Sequence, residues 1–309
     1  MFIINPDKYS LPAYRIGPFR TADLANNHRI FENDSEPENV VDEYIIDNFG
    51  KNYRYTLNGR EAIHLALSAY NLQRTDVVSI LTTSQNLYIS GCVTNEIEKY
   101  CHWNREITRE TTLIFVNHEF GQIYEDMDSL VKTGLPIIED CCTTFFSNNE
   151  RMEVGKYGDF ALYSFSKFFP IQAGGLLVNN SGKKVHKSSQ LDSNFQRYIK
   201  KTVSHNILNI NELLKKREEI YSYSLQQFMT LGFTERFKRK KGTVPSVLML
   251  NNHGIIPDLG ALKVFFWDHG IQTSIFYGED AFFLPVHQNL EKEDIDYFVF
   301  VVKSFIDKK

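Results

Sequence analysis

The 309-residue sequence contains few cysteines and no long hydrophobic run, and its charges nearly balance. The longest apolar stretches, such as residues 113–116 and 298–302, are strand-sized and far shorter than the roughly 20 residues that a membrane helix needs. The first nine residues lack the basic start and apolar core of a signal peptide. The formal net charge of −4 gives no reason to expect a nucleic acid or an anionic membrane as a partner.

The cysteines argue against a disulfide framework and against a metal site. They are Cys92, Cys101, Cys141 and Cys142. The last two are adjacent and therefore poor partners for each other, and no paired spacing typical of zinc ligands occurs. We expect reduced thiols, no bound metal and a cytoplasmic location. The chain length suits one large domain and one smaller domain.

Short apolar runs alternate with helical patterns along the first two thirds of the chain. Nearly continuous apolar runs predict strands over residues 77–81, 113–117, 135–140, 160–164 and 176–179. Helical spacing predicts helices over residues 40–49, 62–70, 88–100 and 127–132. Strands of this kind are covered on both faces, and their alternation with helices indicates a mostly parallel sheet. Residues 26–39 are polar and are predicted to form a loop that ends in a helix start.

The pattern changes after residue 180. Residues 188–229 are polar and helical, and from residue 244 onward we predict a strand, a helix over 259–269, a strand over 273–277 and a last helix over 292–306. We therefore predict an α/β fold with a large domain over residues 1–205 and a small C-terminal α/β domain over residues 206–309. Residues 1–39 are assigned to the large domain only loosely, as an N-terminal segment.

Polar side chains follow three of the predicted strands at the point where each strand ends. Asp140 ends one strand, Ser164 and Lys167 follow the next, and His118 follows the strand over residues 113–117. The carboxyl ends of parallel strands meet at one edge of a sheet, where α/β proteins bind their ligands. We therefore expect these side chains to share one site.

A phosphate site is predicted at Asn58, Gly59 and Arg60, which open a helix whose free amides and dipole suit an anion. A lysine amine can form an imine with the aldehyde of pyridoxal 5'-phosphate (PLP), and a carboxylate can pair with the pyridinium nitrogen. One PLP molecule could therefore span Lys167, Asp140 and this helix start.

The chain resembles the sugar aminotransferases of the DegT/DnrJ/EryC1/StrS family, within the fold-type-I PLP enzymes. The segments that carry the resemblance are Asn58–Leu67, Val116–Gln122 with Asp126–Asp128, Ile138–Asp140 and Gly158–Gly175, and later Lys215–Arg217 with Tyr221 and Leu284–His287. It covers roughly residues 40–309, and the order of the motifs is more specific than any one of them. Two features depart from the family pattern. The family usually has two more residues between the serine and the lysine than lie between Ser164 and Lys167, and its Asn-Tyr-Arg-Met segment is missing here.

The resemblance implies a three-layer large domain that binds PLP, and a homodimer. Lys167 is then the Schiff-base lysine and proton shuttle, and Asp140 keeps the ring nitrogen protonated. Ser164 donates to the phosphate beside Asn58, Gly59 and Arg60. The remaining cofactor-binding residues that it implies are His118, Thr143 near the ring hydroxyl, and Tyr88 stacked on the ring, with Leu87 as the competing alignment for Tyr88.

The implied activity is that of a PLP-dependent aminotransferase. It moves an amino group from an amino acid, by resemblance glutamate, to a nucleotide-linked keto sugar, through the Lys167 imine and pyridoxamine phosphate (PMP). The product would feed a surface polysaccharide or a glycosylated metabolite. Two alternatives stay open: a non-catalytic family member that binds PLP or a sugar nucleotide as a sensor or scaffold, and a PLP enzyme of elimination or dehydration.

Overall fold

The computed structural model describes residues 12–148, 153–187 and 189–307. Within them the chain forms two β-sheets with helices packed against both. The first nine residues, considered above for a signal peptide, lie outside the described residues. No helix of the described part of the chain is both long enough and apolar enough to cross a membrane.

The elements follow the alternation that the sequence predicts. The first part contains α1 (Asp23–Glu32), α2 (Val40–Asn48), β1 (Tyr53–Thr56), α3 (Gly59–Leu67), β2 (Val77–Thr82), α4 (Gly91–Ile97), β3 (His102–Asn104), β4 (Thr111–Asn117), α5 (Met127–Lys132), β5 (Ile137–Asp140), β6 (Phe160–Ser164), β7 (Gly175–Asn179) and α6 (Ser193–Ile207). The second part contains α7 (Ile210–Met229), β8 (Thr234–Glu235), β9 (Val247–Asn251), α8 (Leu259–Asp268), β10 (Ser274–Ile275), β11 (Ala281–Pro285) and α9 (Lys292–Asp307).

The large sheet has the strand order β1-β7-β6-β5-β4-β2-β3. Strands β2 to β6 are parallel to one another, whereas β7 runs antiparallel to both β6 and β1. The register pairs Asn117 with Asp140, and Asp140 with Leu162. The carboxyl ends of β4, β5 and β6 therefore lie at one edge, and the predicted α/β class with a mostly parallel sheet is confirmed.

The large sheet is the middle of three layers. Successive side chains of a strand point to opposite faces. On β6, Ala161 and Tyr163 pack in one hydrophobic core with residues of α2 and α6, whereas Phe160 and Leu162 pack in another with residues of α3 and α4. This two-sided burial explains the nearly continuous apolar runs of the sequence.

The smaller sheet is entirely antiparallel, with the order β10-β11-β9-β8. Residues of α7, α8 and α9 pack with it in a separate core, which includes Phe228, Phe266 and Phe298. Leu213 near the start of α7 belongs to the core of the large sheet, whereas Ile220 belongs to the second core. The two cores thus meet along α7, while the predicted division at residue 205 stays a prediction.

The structure differs from the sequence expectations in the N-terminal region. Residues 26–32 belong to α1 instead of a loop. The polar residue Asn27 is buried there, and its Nδ2 donates to the carbonyl oxygen of Pro170 at 2.8 Å and lies 3.3 Å from the hydroxyl of Tyr198. Asn27, which was predicted to lie in a loop, therefore lies on a helix and makes a tertiary contact.

Candidate active site

A cavity of about 600 Å³ lies at the carboxyl-terminal edge of the large sheet. Its lining also includes residues of the smaller sheet and of α8, among them Val247, Phe283 and Lys263. All of the predicted site residues except His118 line it: Asn58, Gly59, Arg60, Tyr88, Asp140, Thr143, Ser164 and Lys167. The structure thus brings together residues that are up to 109 positions apart in the sequence (167 minus 58).

Lys167 is the last residue of a 3-10 turn, Phe165–Lys167, that directly follows β6. The buried Phe165 anchors the turn, and its backbone N–H donates to the carbonyl of Gly174 at 3.0 Å. Gly174 has φ +106, and a side chain there would also crowd Phe165. The lysine is half-buried, and it lines the cavity together with the carboxylate residue that ends β5.

That carboxylate belongs to Asp140, which is buried. Its Oδ1 accepts the backbone N–H of Cys142 at 3.0 Å. Burial raises the pKa of Asp140, and the hydrogen bonds from Cys142 and the charge of Lys167 oppose that shift. A cation placed against this carboxylate would favour its ionised form.

An anion-binding corner lies at the start of α3. The side chain of Asn58 accepts the N–H of Glu61 at 3.0 Å and caps the helix. The amides of Gly59 and Arg60 belong to the first turn, which has no acceptors within the helix. The hydroxyl oxygens of Ser164 and Ser166 lie 3.3 Å apart on the same cavity wall. Amides, hydroxyls and the helix dipole together suit a phosphate.

Close packing explains why a glycine opens this helix. A Cβ atom on Gly59 would lie 2.9 Å from the sulfur of Cys142. Only glycine lets the start of α3 approach the β5 end this closely without a displacement.

Tyr88 and Leu87 are the predicted alternatives for stacking on the ring, and Tyr88 is the one that lines the cavity. Its ring stacks on that of Tyr277, with 6.2 Å between centroids and 14° between planes, and contacts Phe120 and Phe276. Leu87 is 75% exposed and does not belong to the lining. The hydroxyl of Thr143 lines the cavity but donates to the carbonyl of residue 118 at 2.7 Å.

His118 does not belong to the cavity lining, although Asn117 and Glu119 on either side of it do, and its contact with the cofactor stays a prediction. Its side chain is fully buried, its Nδ1 accepts the N–H of Tyr124 at 3.0 Å, and its Nε2 lies 3.1 Å from Oε2 of Glu139. Because Nδ1 accepts, the neutral ring donates from Nε2. Glu139 also accepts three backbone N–H groups of residues 155–158. The histidine therefore anchors the end of β5 beside Asp140.

Glu139 and His118 also form a group with Cys141, whose potential ligand atoms all lie within 4.8 Å of one another. The hydrogen bonds just described already occupy the histidine and the carboxylate. Burial raises the pKa of the Cys141 thiol, which disfavours the thiolate that a metal would need. This group is better explained as a structural network than as a metal site.

The sequence reasoning missed several residues of the lining. They include Cys142, Ser166, Gln172, Lys263 and Trp267. Ser166 and Cys142 are sequence neighbours of the predicted site residues Lys167 and Thr143, so their positions could have indicated that they belong to the site. Lys263 and Trp267 come from α8, about 100 residues beyond the lysine, and no local pattern links that helix to the large sheet.

Comparisons with known proteins point to aminotransferases. The model of the DegT/DnrJ/EryC1/StrS aminotransferase family matches residues 97–212, which include Asp140 and Lys167. A GDP-perosamine synthase of Vibrio cholerae is 28% identical over 152 residues, a match that covers 43% of this chain and 41% of that protein. The chain thus matches less than half the length of that curated relative.

Solved structures match nearly the whole chain. DesI, solved in the presence of its TDP-sugar product, has a TM-score of 0.73 at 13% identity, covering 97% of this chain and 94% of DesI. The PLP form of a putative sugar aminotransferase from Streptococcus pneumoniae has a TM-score of 0.67 at 14% identity, covering 97% and 98%. These matches establish the fold. Residues 97–212 carry the sequence pattern of the DegT/DnrJ/EryC1/StrS aminotransferase family, which confirms the predicted resemblance.

Proposed function

We propose that this chain is a PLP-dependent sugar aminotransferase that transfers an amino group from glutamate to a nucleotide-linked keto sugar. The observation that carries the proposal is one cavity that is lined by Lys167, by Asp140 and by the start of α3. The family matched by residues 97–212 is an aminotransferase family, which supports the reaction class.

The residues present fit PLP. Its phosphate would lie against the first-turn amides of α3, where Gly59 allows close approach, and against the hydroxyls of Ser164 and Ser166. The buried carboxylate of Asp140 would pair with the ring nitrogen, and Tyr88 would flank the ring. When bound, PLP supplies an aldehyde that takes up the amino group and a ring that accepts electrons.

Lys167 provides the group that holds and moves the proton. Lys167 lines the cavity together with Asp140, so its amine would act on a carbon of the substrate bound there. A neutral amine can accept a proton from that carbon and return it to a neighbouring atom. The partial burial of Lys167 limits the water around its amine.

The sugar substrate and the assembly belong to the same proposal. The matches to a GDP-perosamine synthase and to DesI with its TDP-sugar product support a nucleotide-linked sugar. We propose a cytoplasmic homodimer, with PLP bound mainly by residues 1–205. The exposed side chains of Leu87 and Tyr277 adjoin Tyr88 at the cavity and are apolar surface that a second copy could cover.

Spectroscopy with glutamate tests the proposal. The purified protein should bind PLP and turn yellow, and glutamate should convert the bound cofactor to PMP with release of 2-oxoglutarate. Borohydride should fix PLP on residue 167, and Lys167→Ala should lose this label, whereas Lys183→Ala, a control that lines a different pocket, should keep it.

The outcomes separate the alternatives. A yellow protein whose spectrum no amino acid changes would indicate a sensor or scaffold. Release of ammonia with the keto product would indicate an elimination. Asp140→Ala should lose at least about a hundredfold in the rate of the glutamate half-reaction, because the ring loses its charge partner. A fully active Asp140→Ala protein would refute the role of this carboxylate.

A further inference from the structure

Three successive carbonyl groups at the end of the lysine turn, those of residues 166–168, contact residues from outside the turn. The carbonyl of Ser166 packs on Gly17, where a Cβ atom would lie only 2.4 Å from its oxygen. The carbonyl of Lys167 accepts an N–H of Arg217 at 3.2 Å, and that of Phe168 accepts Nε2–H of Gln288 at 2.7 Å. The internal hydrogen bonds of the turn use the carbonyl of Phe165. Its later carbonyls therefore depend on distant residues.

Arg217 is the centre of these contacts. It lies on α7 and is fully buried. Its guanidinium donates to the carbonyl of Pro245 at 3.0 Å and to Oε1 of Gln288 at 3.0 Å and 3.3 Å, and it lies 4.7 Å from the ring centroid of Phe168.

No carboxylate forms an ion pair with this guanidinium in residues 12–148, 153–187 and 189–307. Burial lowers the pKa of Arg217 to about 9. A buried cation that has only neutral acceptors costs stability relative to an apolar side chain of similar size. Its contacts therefore call for an explanation beyond packing.

We infer that Arg217 is a positioning residue for Lys167 and that Gln288 assists it. By holding the carbonyls of residues 167 and 168, the two side chains fix the backbone from which the lysine extends into the cavity. The inference rests on the proposed function for what Lys167 does. Arg217 itself does not belong to the cavity lining.

The short lysine turn makes such external support necessary. Only three residues form the 3-10 turn, and the next residue, Phe168, has φ −125 and ψ −27 and does not continue it. Arg217 and Gln288 both come from the chain beyond α6. The backbone of the lysine therefore also joins the large sheet to the elements around the smaller sheet.

The test compares Arg217→Met, Arg217→Lys and Gln288→Ala with Lys216→Met. Lys216 is the neighbouring cation on α7, is partly exposed and pairs with Glu291 at the surface, so its loss should change little. At saturating PLP, we expect Arg217→Met to reduce the fraction of PLP that borohydride fixes on residue 167 by about tenfold, since small misplacements of a reacting group have large effects. Noncovalent PLP binding should change less than about twofold, because the phosphate corner is untouched.

Rescue distinguishes positioning from general stability. Arg217→Lys keeps the charge and one donor nitrogen and should recover part of the fixed fraction, and Gln288→Ala should lower the fixed fraction, as Arg217→Met does. If Arg217→Met does not fold, Gln288→Ala decides the question. A folded Arg217→Met protein that fixes PLP as well as Lys216→Met, with the same pH midpoint of its absorbance, overturns the inference.

A measurement without PLP separates this inference from the proposed function. Mass spectrometry can follow the acetylation of Lys167 relative to Lys183 in the same protein. Release of the turn in Arg217→Met should raise this ratio by about threefold or more, because the half-buried amine becomes more accessible. Wild-type protein that fixes no PLP contradicts the proposed function, and an unchanged acetylation ratio contradicts the inference.

Discussion

At the end of β5, two adjacent carboxylates serve different purposes. Glu139 and Asp140 point to opposite faces of the strand, as strand geometry requires. Glu139 is saturated by His118 and by backbone amides, whereas Asp140 faces the cavity. One side chain holds the strand end in place, and the other is left for a ligand.

The residue types and their order predicted much of this site. Lys167 and Asp140 follow neighbouring buried strands, so the sequence alone was enough to predict that they share one edge of the sheet. The direction of the His118 ring could not be predicted, because it lies beyond the last paired residue of β4 and no alternation fixes its face. The contact of Arg217 with the lysine turn depends on tertiary packing across 50 residues and left no local signal.

Gly59 can be tested through its contact with Cys142. Gly59→Ala should weaken PLP binding by about tenfold, or about 1.4 kcal/mol, because the added Cβ displaces the helix start. Cys142→Ala removes the sulfur that lies 2.9 Å from that position, so the double variant should recover most of the affinity. PLP titration followed by absorbance measures both effects.

Gly91→Ala is the matched control for that experiment. Gly91 also opens a helix, but a Cβ there would have only one neighbour, at an ordinary 3.9 Å. A double variant of Gly59 and Cys142 as weak as Gly59→Ala alone would show that the close approach is not the cause.

Glu139→Gln should destabilise the fold. The new side-chain amide keeps one acceptor oxygen but places an NH2 group where the second carboxylate oxygen accepts, so the donors at that position lose their acceptor: Gly155 and His118 in one orientation, Tyr157 and Gly158 in the other. We expect a loss of about 3 kcal/mol in the free energy of unfolding. Urea unfolding measures it, and Glu153→Gln at the exposed Lys156 pair should cost no more than about 0.5 kcal/mol. Equal losses in the two variants would contradict the prediction.

At the scale of elements, periodicity identified the strands that are buried on both faces. Residues 160–164 were predicted with the bounds that β6 has. The pattern missed β1, β3, β8 and β11 as strands; β1, β3 and β8 have only two to four residues, and such short strands carry a weak periodic signal. Strand β1 pairs with β7 more than 100 residues later, with Tyr53 opposite Val178, and such long-range pairing cannot be read from local sequence.

Asp42 provides a test of how α2 is attached to its neighbours. Its Oδ1 accepts the hydroxyls of Tyr53 and Tyr55 of β1 at 2.7 Å and 2.8 Å, and its Oδ2 lies 2.8 Å from the amine of Lys200 on α6. Asp42→Ala should lower the free energy of unfolding by about 2 to 3 kcal/mol, because both tyrosine hydroxyls lose their acceptor and Lys200 keeps only its contacts with Glu38 and Asn39.

Urea unfolding of Asp42→Ala can be compared with that of Asp47→Ala. Asp47 lies on the same helix but is exposed, so its loss should change stability by less than about 0.5 kcal/mol. Asp42→Asn keeps an acceptor but loses the ion pair, and it should fall between wild type and Asp42→Ala. Similar values for Asp42→Ala and Asp47→Ala would contradict this role.

At the scale of the whole molecule, the N-terminal segment joins the two sheets. Gly17 packs on the lysine turn after β6, while the N–H of Ile16 donates to Gln272 at 2.8 Å, and Asn289 donates to the carbonyl of Pro18 at 2.8 Å. Ile16 also lines the cavity. Composition gave no sign of this, because a segment without periodicity reveals its contacts only in the folded chain.

His287 makes this junction sensitive to acid. It is buried, its Nε2 donates to the carbonyl of Arg15 at 3.1 Å, and its Nδ1 accepts the N–H of Asn289 at 3.3 Å. A second proton on Nδ1 would oppose that donor. Burial, followed by the charges of Arg217 and Arg20, lowers the pKa of His287 to about 3.

The sign of the effect follows from proton linkage. As the pH falls below about 6.5, the histidine of the unfolded chain binds a proton, whereas that of the folded protein stays neutral down to about pH 3. Acid therefore favours the unfolded state in this window, with a slope that approaches about 1.4 kcal/mol per pH unit.

His287→Gln keeps one donor and one acceptor but does not titrate, so its free energy of unfolding should fall less steeply than that of wild type between pH 6 and pH 4. Urea unfolding at each pH measures the difference, in which the contributions of other buried groups cancel. His102→Gln, at an exposed position of β3, should keep the wild-type slope, and a wild-type slope in His287→Gln would contradict the assignment.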